Sequence, residues 1–255
     1  MTVTEKWLTM GLLCLSGSAI FWLPLFSDIF YIPMQNAFGF TKTQMGILLS
    51  TFGAVSLLAY FPGGWLADRF LPRKLITIAL VVTAIAGFIF STLPSFEICL
   101  ILFSIWGICS AGILWSAMIK AARCWGKKED QGKTYGILEG GRSISDVVST
   151  TILLAIFAYS SSVDKAVSEI IIMISFYTLV LAFLVWRIMN DDISKSKERP
   201  KVTINEIIYI LKLPVIWLIA LIILATNTAM WGTLFFTPYA TEVFELGEVG
   251  GGAIG

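Results

Sequence analysis

The chain has 255 residues, 57% of them apolar and 14% charged, with a formal net charge of +1 and no histidine. Soluble domains carry about a quarter charged residues, so this is the composition of a polytopic membrane protein, and the lack of a basic excess argues against nucleic acid as a partner. Without histidine the chain has no imidazole proton relay, no usual zinc site and no Ser-His or Cys-His catalysis.

Uncharged runs predict seven membrane-crossing helices, roughly Trp7–Phe38, Thr43–Pro62, Leu75–Leu93, Ile98–Trp125, Thr134–Tyr159, Glu169–Ile188 and Leu213–Tyr239. A crossing takes about 20 apolar residues. The runs lack the period-two alternation of a closed barrel, so the expected class is an all-α polytopic bundle, helices being the other structure that satisfies the backbone in lipid. The first run is too long for a signal-peptide core and continues into further apolar sequence, so it reads as a span. Pro24 and Pro33 are placed to bend it. Gly107, Ala111 and Gly112 in span four, and Gly136 with Gly140 in span five, read as close helix contacts. Trp22, Trp106 and Trp115 suit interface or lipid packing, with cavity lining as the alternative.

Lysine and arginine orient the bundle. With the N-terminus in the cytoplasm, fifteen of them fall on the inner side and only Lys42 and Lys165 on the outer side, a strong positive-inside bias. The expected location is therefore a cell (plasma or inner) membrane, crossed many times. Residues 1–188 form one six-helix unit. Residues 189–212 form a charged cytoplasmic linker, in which Thr203-Ile204-Asn205-Glu206 offers a capping box for a short amphipathic helix. Residues 213–255 begin a second unit, and Pro33 and Gly46 recur as Pro238 and Gly251 at the same offset of 205 residues, as a parallel repeat requires. The chain then reads as one whole half plus the first helix of another. Gly250 to Gly255 fits a GxGxxG string, but no strand precedes it, so it reads as a loop or the mouth of an eighth span.

Between spans two and three lies Gly63-Gly64-Trp65-Leu66-Ala67-Asp68-Arg69-Phe70-Leu71-Pro72-Arg73-Lys74. A charged, glycine-led segment between two apolar runs belongs at a membrane surface. Gly63 and Gly64 allow helices to approach and the chain to turn. Asp68, at a helix end, can accept from a helix N-terminus or pair with an arginine such as Arg123. Contacts of this kind form a latch between two states.

These residues resemble the signature of the major facilitator superfamily: Gly64, Leu66, Ala67, Asp68 and Arg69 match it in sequence and place, while Leu71 and Pro72 replace a glycine and a basic residue. The Asp68-Arg69-x-x-Pro72-Arg73 form, with Arg123-Cys124-Trp125 and Gly132 after span four, is similar to the organophosphate antiporter branch. The resemblance implies a secondary carrier of a small solute, such as an organic anion or sugar phosphate, working by alternating access. It also implies a cytoplasmic gate at Gly64, Asp68, Arg69, Arg73 and Arg123. The arginine that branch carries in span one has no counterpart between Phe21 and Pro33.

Four ionisable residues lie inside the runs: Asp28 in span one, and Glu139, Arg142 and Asp146 in span five. Each costs about 2.5–3.5 kcal/mol at a helix centre on insertion scales. The spacings i,i+3 and i,i+4 put the span-five triplet on one helical face, where it can neutralise itself and pin span five. The functional reading makes Arg142 an anion or substrate anchor, with one carboxylate as the partner of a proton or cation. Arg142 lies nine residues past Lys133, about 13 Å along a helix and so near mid-membrane. Asp28 lies further out, as a coupling residue or as a partner of Arg142 across spans one and five.

The four cysteines, Cys14, Cys99, Cys109 and Cys124, show no metal-ligand spacing and read as free thiols, and no metal or cofactor is expected. No Walker loop supports ATP coupling, and an intramembrane enzyme lacks any G-x-S-x-G or H-E-x-x-H pattern. A fragment that inserts without transporting is the remaining alternative.

Overall fold

The computed structural model describes residues 3–159, 162–189, 209, 212–231 and 236–244. Among them there is no strand, and six helical segments are long and apolar enough to cross a membrane: Val3–Phe38, Lys42–Arg69, Pro72–Phe90, Phe96–Trp125, Lys128–Ala158 and Lys165–Ile188. The expected linker helix and the glycine-rich stretch from Gly250 lie outside the described residues.

Span one is broken. Helix α1 (Val3–Trp22) ends two residues before Pro24, a turn follows, and α2 (Ser27–Phe38) resumes with Phe30 at non-helical φ −109° and ψ 41°, three residues before Pro33. Proline lacks the amide that would close the helical bond and its ring crowds the preceding turn. Gly39 closes α2 at φ 67°, the left-handed conformation that glycine adopts without strain. Helix α3 (Lys42–Arg69) opens on a capping box: the Gln44 amide donates to Thr41 Oγ1 at 3.2 Å and the Thr41 amide to Gln44 Oε1 at 2.9 Å.

The Gly63-Gly64 pair is not a hinge. Helix α3 runs straight through it to Arg69, and the chain turns at Phe70 and Leu71 before Pro72 opens α4 (Pro72–Phe90). The close approach is real at one of the two glycines: a Cβ on Gly63 would strike the Gly112 backbone carbonyl, whereas one on Gly64 would meet open space. Span four comprises α5 (Phe96–Gly107), a π-helical segment (Ile108–Trp115) and α6 (Ser116–Trp125). The wider winding of the π segment, unannounced by the sequence, lies against α3 where Gly63 and Ala59 meet Gly112. A Cβ on Gly107 would come within 2.9 Å of the Phe52 carbonyl, so this pair of helices packs backbone to backbone. A Cβ on Gly136 or Gly140 would meet open space, and the close glycine contact in span five is instead Gly141, against Cys14 of α1.

Span five is α7 (Gln131–Ala158) and span six is α8 (Val163–Ile188). Helix α8 packs along α4, and α1 lies against both α7 and α8. The core divides into two buried clusters. One surrounds Leu13, Ile76, Leu80, Leu114 and Met118. The other is aromatic, with Phe90 4.7 Å from Phe38 and 5.2 Å from Trp106 between ring centroids. Leu57, Leu58, Phe61, Ile85, Ile101 and Phe183 stay exposed, as a lipid-facing surface requires. Cys14, Cys99 and Cys109 are buried free thiols and Cys124 is half-buried.

The expected seventh span is described as two helices, Pro214–Trp231 and Phe236–Val243. Side chains from Leu213 to Thr226 are all exposed, while the second helix packs on α2 and buries Ala240 there. Pro33 and Pro238, the repeated prolines, thus sit in the two short helices that touch.

Candidate functional site

Arg142 and Asp146 of α7 meet α1 and the π segment in one place. Arg142 reaches back to Glu139, with Nη1 to Oε2 at 2.6 Å. Its guanidinium lies 4.8 Å from the Trp115 ring centroid and 6.0 Å from that of Phe21, at or within the reach of cation–π attraction. The Arg142 side chain is 15% exposed against 51% for Glu139, so the arginine is the inner member of the pair. The room it occupies depends on Gly17: a Cβ there would come within 2.9 Å of Arg142 Cδ.

Asp146 is held differently. It does not pair with Arg142, as a self-neutralising triplet would require. Its Oδ1 accepts instead from Ser18 Oγ and from Trp22 Nε1, the latter at 3.0 Å, both on α1. No lysine or arginine forms an ion pair with Asp146 among the described residues. Trp22 in turn stacks on Tyr177 of α8, centroids 5.2 Å apart and planes 18° from parallel. Two further polar atoms on this face, Arg142 Nε and Ser145 Oγ, are buried without a hydrogen-bond partner. The cluster therefore offers a guanidinium and a carboxylate one helical turn apart, walled by Phe21, Trp22, Trp115 and Tyr177.

Asp28 is not brought to this cluster. It sits half-buried in the first turn of α2, beyond the break in span one, and no ion pair joins it to Arg142 among the described residues. Trp106 is wholly buried with its Nε1 donating to the Thr83 carbonyl at 3.3 Å, so of the three tryptophans singled out from sequence only Trp22 and Trp115 line the site. Ser18, Gly17 and Tyr177 were missed. A faint signal existed: Gly17-Ser18 followed one turn later by Phe21-Trp22 puts small and aromatic side chains on one face of α1.

At the end of the bundle that carries residues 63–74, the motif residues separate into used and unused charges. Arg73 donates to the Met189 carbonyl at 3.4 Å and lies 4.5 Å over the Trp186 ring, capping the C-terminus of α8. Lys120 of α6 donates to the carbonyls of Ala67 at 2.5 Å and Phe70 at 3.3 Å, capping α3. Cations at helix C-termini satisfy orphan carbonyls and complement the helix dipole. Arg69 stacks 4.0 Å over Trp65 of its own helix. Asp68 and Arg123 are both exposed, and the expected pairing between them is not formed: among the described residues no ion pair joins them. Arg123 contributes its backbone carbonyl, which accepts from Gln131 Nε2 at 3.2 Å.

The chain is similar to known proteins over most of its length. The inner membrane protein YqcE of Escherichia coli K12 is 28% identical over 98% of this chain and 60% of its own length. A probable sulfoacetate transporter, SauU, of Cupriavidus necator is 24% identical over 49% of this chain and 29% of its own. Among solved structures, an inward-facing, unoccupied bacterial homologue of the human lysosomal transporter Spinster superposes with a TM-score of 0.78 at 14% identity, over 99% of this chain and 59% of that one. The chain thus spans about 60% of the length of YqcE and of the Spinster homologue. The family model for the major facilitator superfamily matches residues 7–255. This multi-pass membrane protein, with six helices among the described residues long and apolar enough to cross a membrane, belongs to the major facilitator superfamily.

Proposed function

We propose that this bundle is one of two moving bodies in a secondary carrier that takes a small organic anion across a cell membrane by alternating access. Arg142 is the anion anchor. The observation that carries this reading is its placement: an arginine near the middle of α7, its charge shared by a displaceable carboxylate and aromatic rings rather than locked to backbone. The similarity to a probable sulfoacetate transporter favours the same solute class. The N-terminus is cytoplasmic on the strength of the lysine and arginine distribution.

A coupling proton or cation has two candidate carriers, Glu139, which the anion would displace from Arg142, and Asp28. The cytoplasmic gate comprises Gly64, Asp68, Arg69, Arg73 and Arg123. Asp68 and Arg123 stand exposed at the inner end while Arg73 and the neighbouring Lys120 are committed to helix ends. Exposed charges beside committed ones suit contacts that form in only one of the two orientations of the bundles.

Uptake of radiolabelled sulfoacetate, glycerol 3-phosphate and lactate by cells producing this bundle together with the second body of the carrier tests the reading. We expect accumulation of at least one, falling about tenfold or more in Arg142→Lys because a point charge replaces a planar fork. Accumulation undiminished in that variant contradicts the assignment of Arg142.

A further inference from the structure

We propose that the Arg142 site is built for a zwitterion: a solute whose carboxylate or sulfonate binds Arg142 and whose own ammonium binds Asp146. The inference rests on the anion-anchor reading and adds the amine to it. The cluster holds two carboxylates, Glu139 and Asp146, against one guanidinium, so its balance is −1. A solute with only negative charge frees Glu139 from its partner and meets Asp146 one turn from the point where it binds. A dianion such as a phosphate monoester meets that repulsion twice over. An ammonium on the solute converts the repulsion into an ion pair.

The placement of Asp146 supports this role. Ser18 and Trp22 donate to the same oxygen, Oδ1, which fixes the carboxylate group without supplying a cation. The neighbouring wall is the Trp22–Tyr177 stack, and indole and phenol faces attract ammonium groups, quaternary ones included. At the other end of the site, Trp115 lies against the guanidinium. The division of labour is therefore anionic end toward Trp115 of the π segment, cationic end toward Trp22 of α1 and Tyr177 of α8. Ser145 Oγ, buried like Arg142 Nε, belongs to a residue between the two charged ends in sequence. Glu139, half exposed and among the described residues bonded to Arg142 alone, is the carboxylate that gives way.

Calorimetric titration of the purified protein in detergent micelles with matched pairs differing by one amino group tests the proposal. The probes are taurine against ethanesulfonate, β-alanine against propionate, and glycine betaine against acetate. We expect the zwitterion of at least one pair to bind about tenfold tighter than its amine-free partner. Asp146→Asn brings that ratio to within about twofold while the amine-free member binds as well or better, and Arg142→Gln weakens both members alike. Equal affinities within every pair, with measurable binding of the anions, overturn the zwitterion and leave the anion anchor standing. Binding of none of the probes overturns the zwitterion proposal, and the uptake assay then judges the anion reading by itself. If Asp146→Asn fails to fold, Trp22→Phe removes one donor to Asp146 and keeps a ring, and a ratio unchanged in that variant counts against the proposal.

Discussion

The motif-bearing end of the bundle and its middle use positive charge in opposite ways. At that end, Arg73 and Lys120 are spent on backbone carbonyls at the C-termini of α8 and α3, groups that every helix leaves unsatisfied. In the middle, the Arg142 guanidinium meets side-chain groups, the Glu139 carboxylate and the Trp115 and Phe21 rings. A carbonyl at a helix end cannot leave without unwinding the helix, whereas a carboxylate on a flexible side chain can swing away. The first arrangement fixes the bundle and the second leaves a charge that a solute can claim. The two regions are mechanically close, because the π segment that carries Trp115 runs directly into α6, which carries Lys120.

The contrast breaks most visibly where it depends on backbone contact. Gly63→Ala pushes a methyl into the Gly112 carbonyl, and overpacking costs about 1–3 kcal/mol. Because the obstacle is main chain, we expect the upper end of that range, read as a clear fall in the thermal midpoint of the purified protein. Arg142→Leu removes the exchangeable charge: anion affinity should fall about thirtyfold, near 2 kcal/mol, with the midpoint changed far less than in Gly63→Ala. Lys120→Met strips the cap from α3 and keeps the aliphatic stem. Its hydrogen bonds are charge-assisted but partly solvated, so a loss of about 1 kcal/mol is expected, measured as a smaller shift of the same midpoint with anion affinity unchanged. Gly64→Ala is the sharpest control. Open space surrounds that position inside a helix, and alanine is favoured over glycine there by up to about 1 kcal/mol, so stability should hold or rise slightly. A large loss in Gly64→Ala would mean that the two adjacent glycines play the same part, contrary to the packing described above.

Much of the fold was legible because hydrophobic run length is a direct physical requirement of the bilayer. Six of the expected spans appear with shifted ends, and the shifts have local causes. Span two extends to Arg69 because a helix tolerates Gly63-Gly64 when neighbouring backbone takes up the space. Span one breaks near Pro24 and Pro33, as the missing amides foretold. The π winding of Ile108–Trp115 carried no sequence signal, since it depends on how span four packs against α3. The site was legible in part. Helical spacing alone put Glu139 and Arg142 together, and the structure pairs them. The same spacing suggested Arg142 with Asp146, but Ser18 and Trp22 hold Asp146 from another helix, a tertiary contact that no periodicity along α7 can report. The Asp68–Arg123 latch fails to form for a related reason: both side chains are exposed and free of any ion pair among the described residues, and spacing in sequence does not say which way they point.

The most direct test of a solute site inside the bundle is water access to it. A cysteine at Phe21, 6.0 Å from the Arg142 guanidinium by its ring centroid, is introduced into a protein whose Cys14, Cys99, Cys109 and Cys124 have been replaced, and its reaction with a membrane-impermeant thiosulfonate is timed in sealed vesicles. The account predicts steady labelling, slowed by a bound anion and faster than labelling of a control cysteine at exposed Phe176. Labelling no faster than at Phe176, and indifferent to anions, would contradict it.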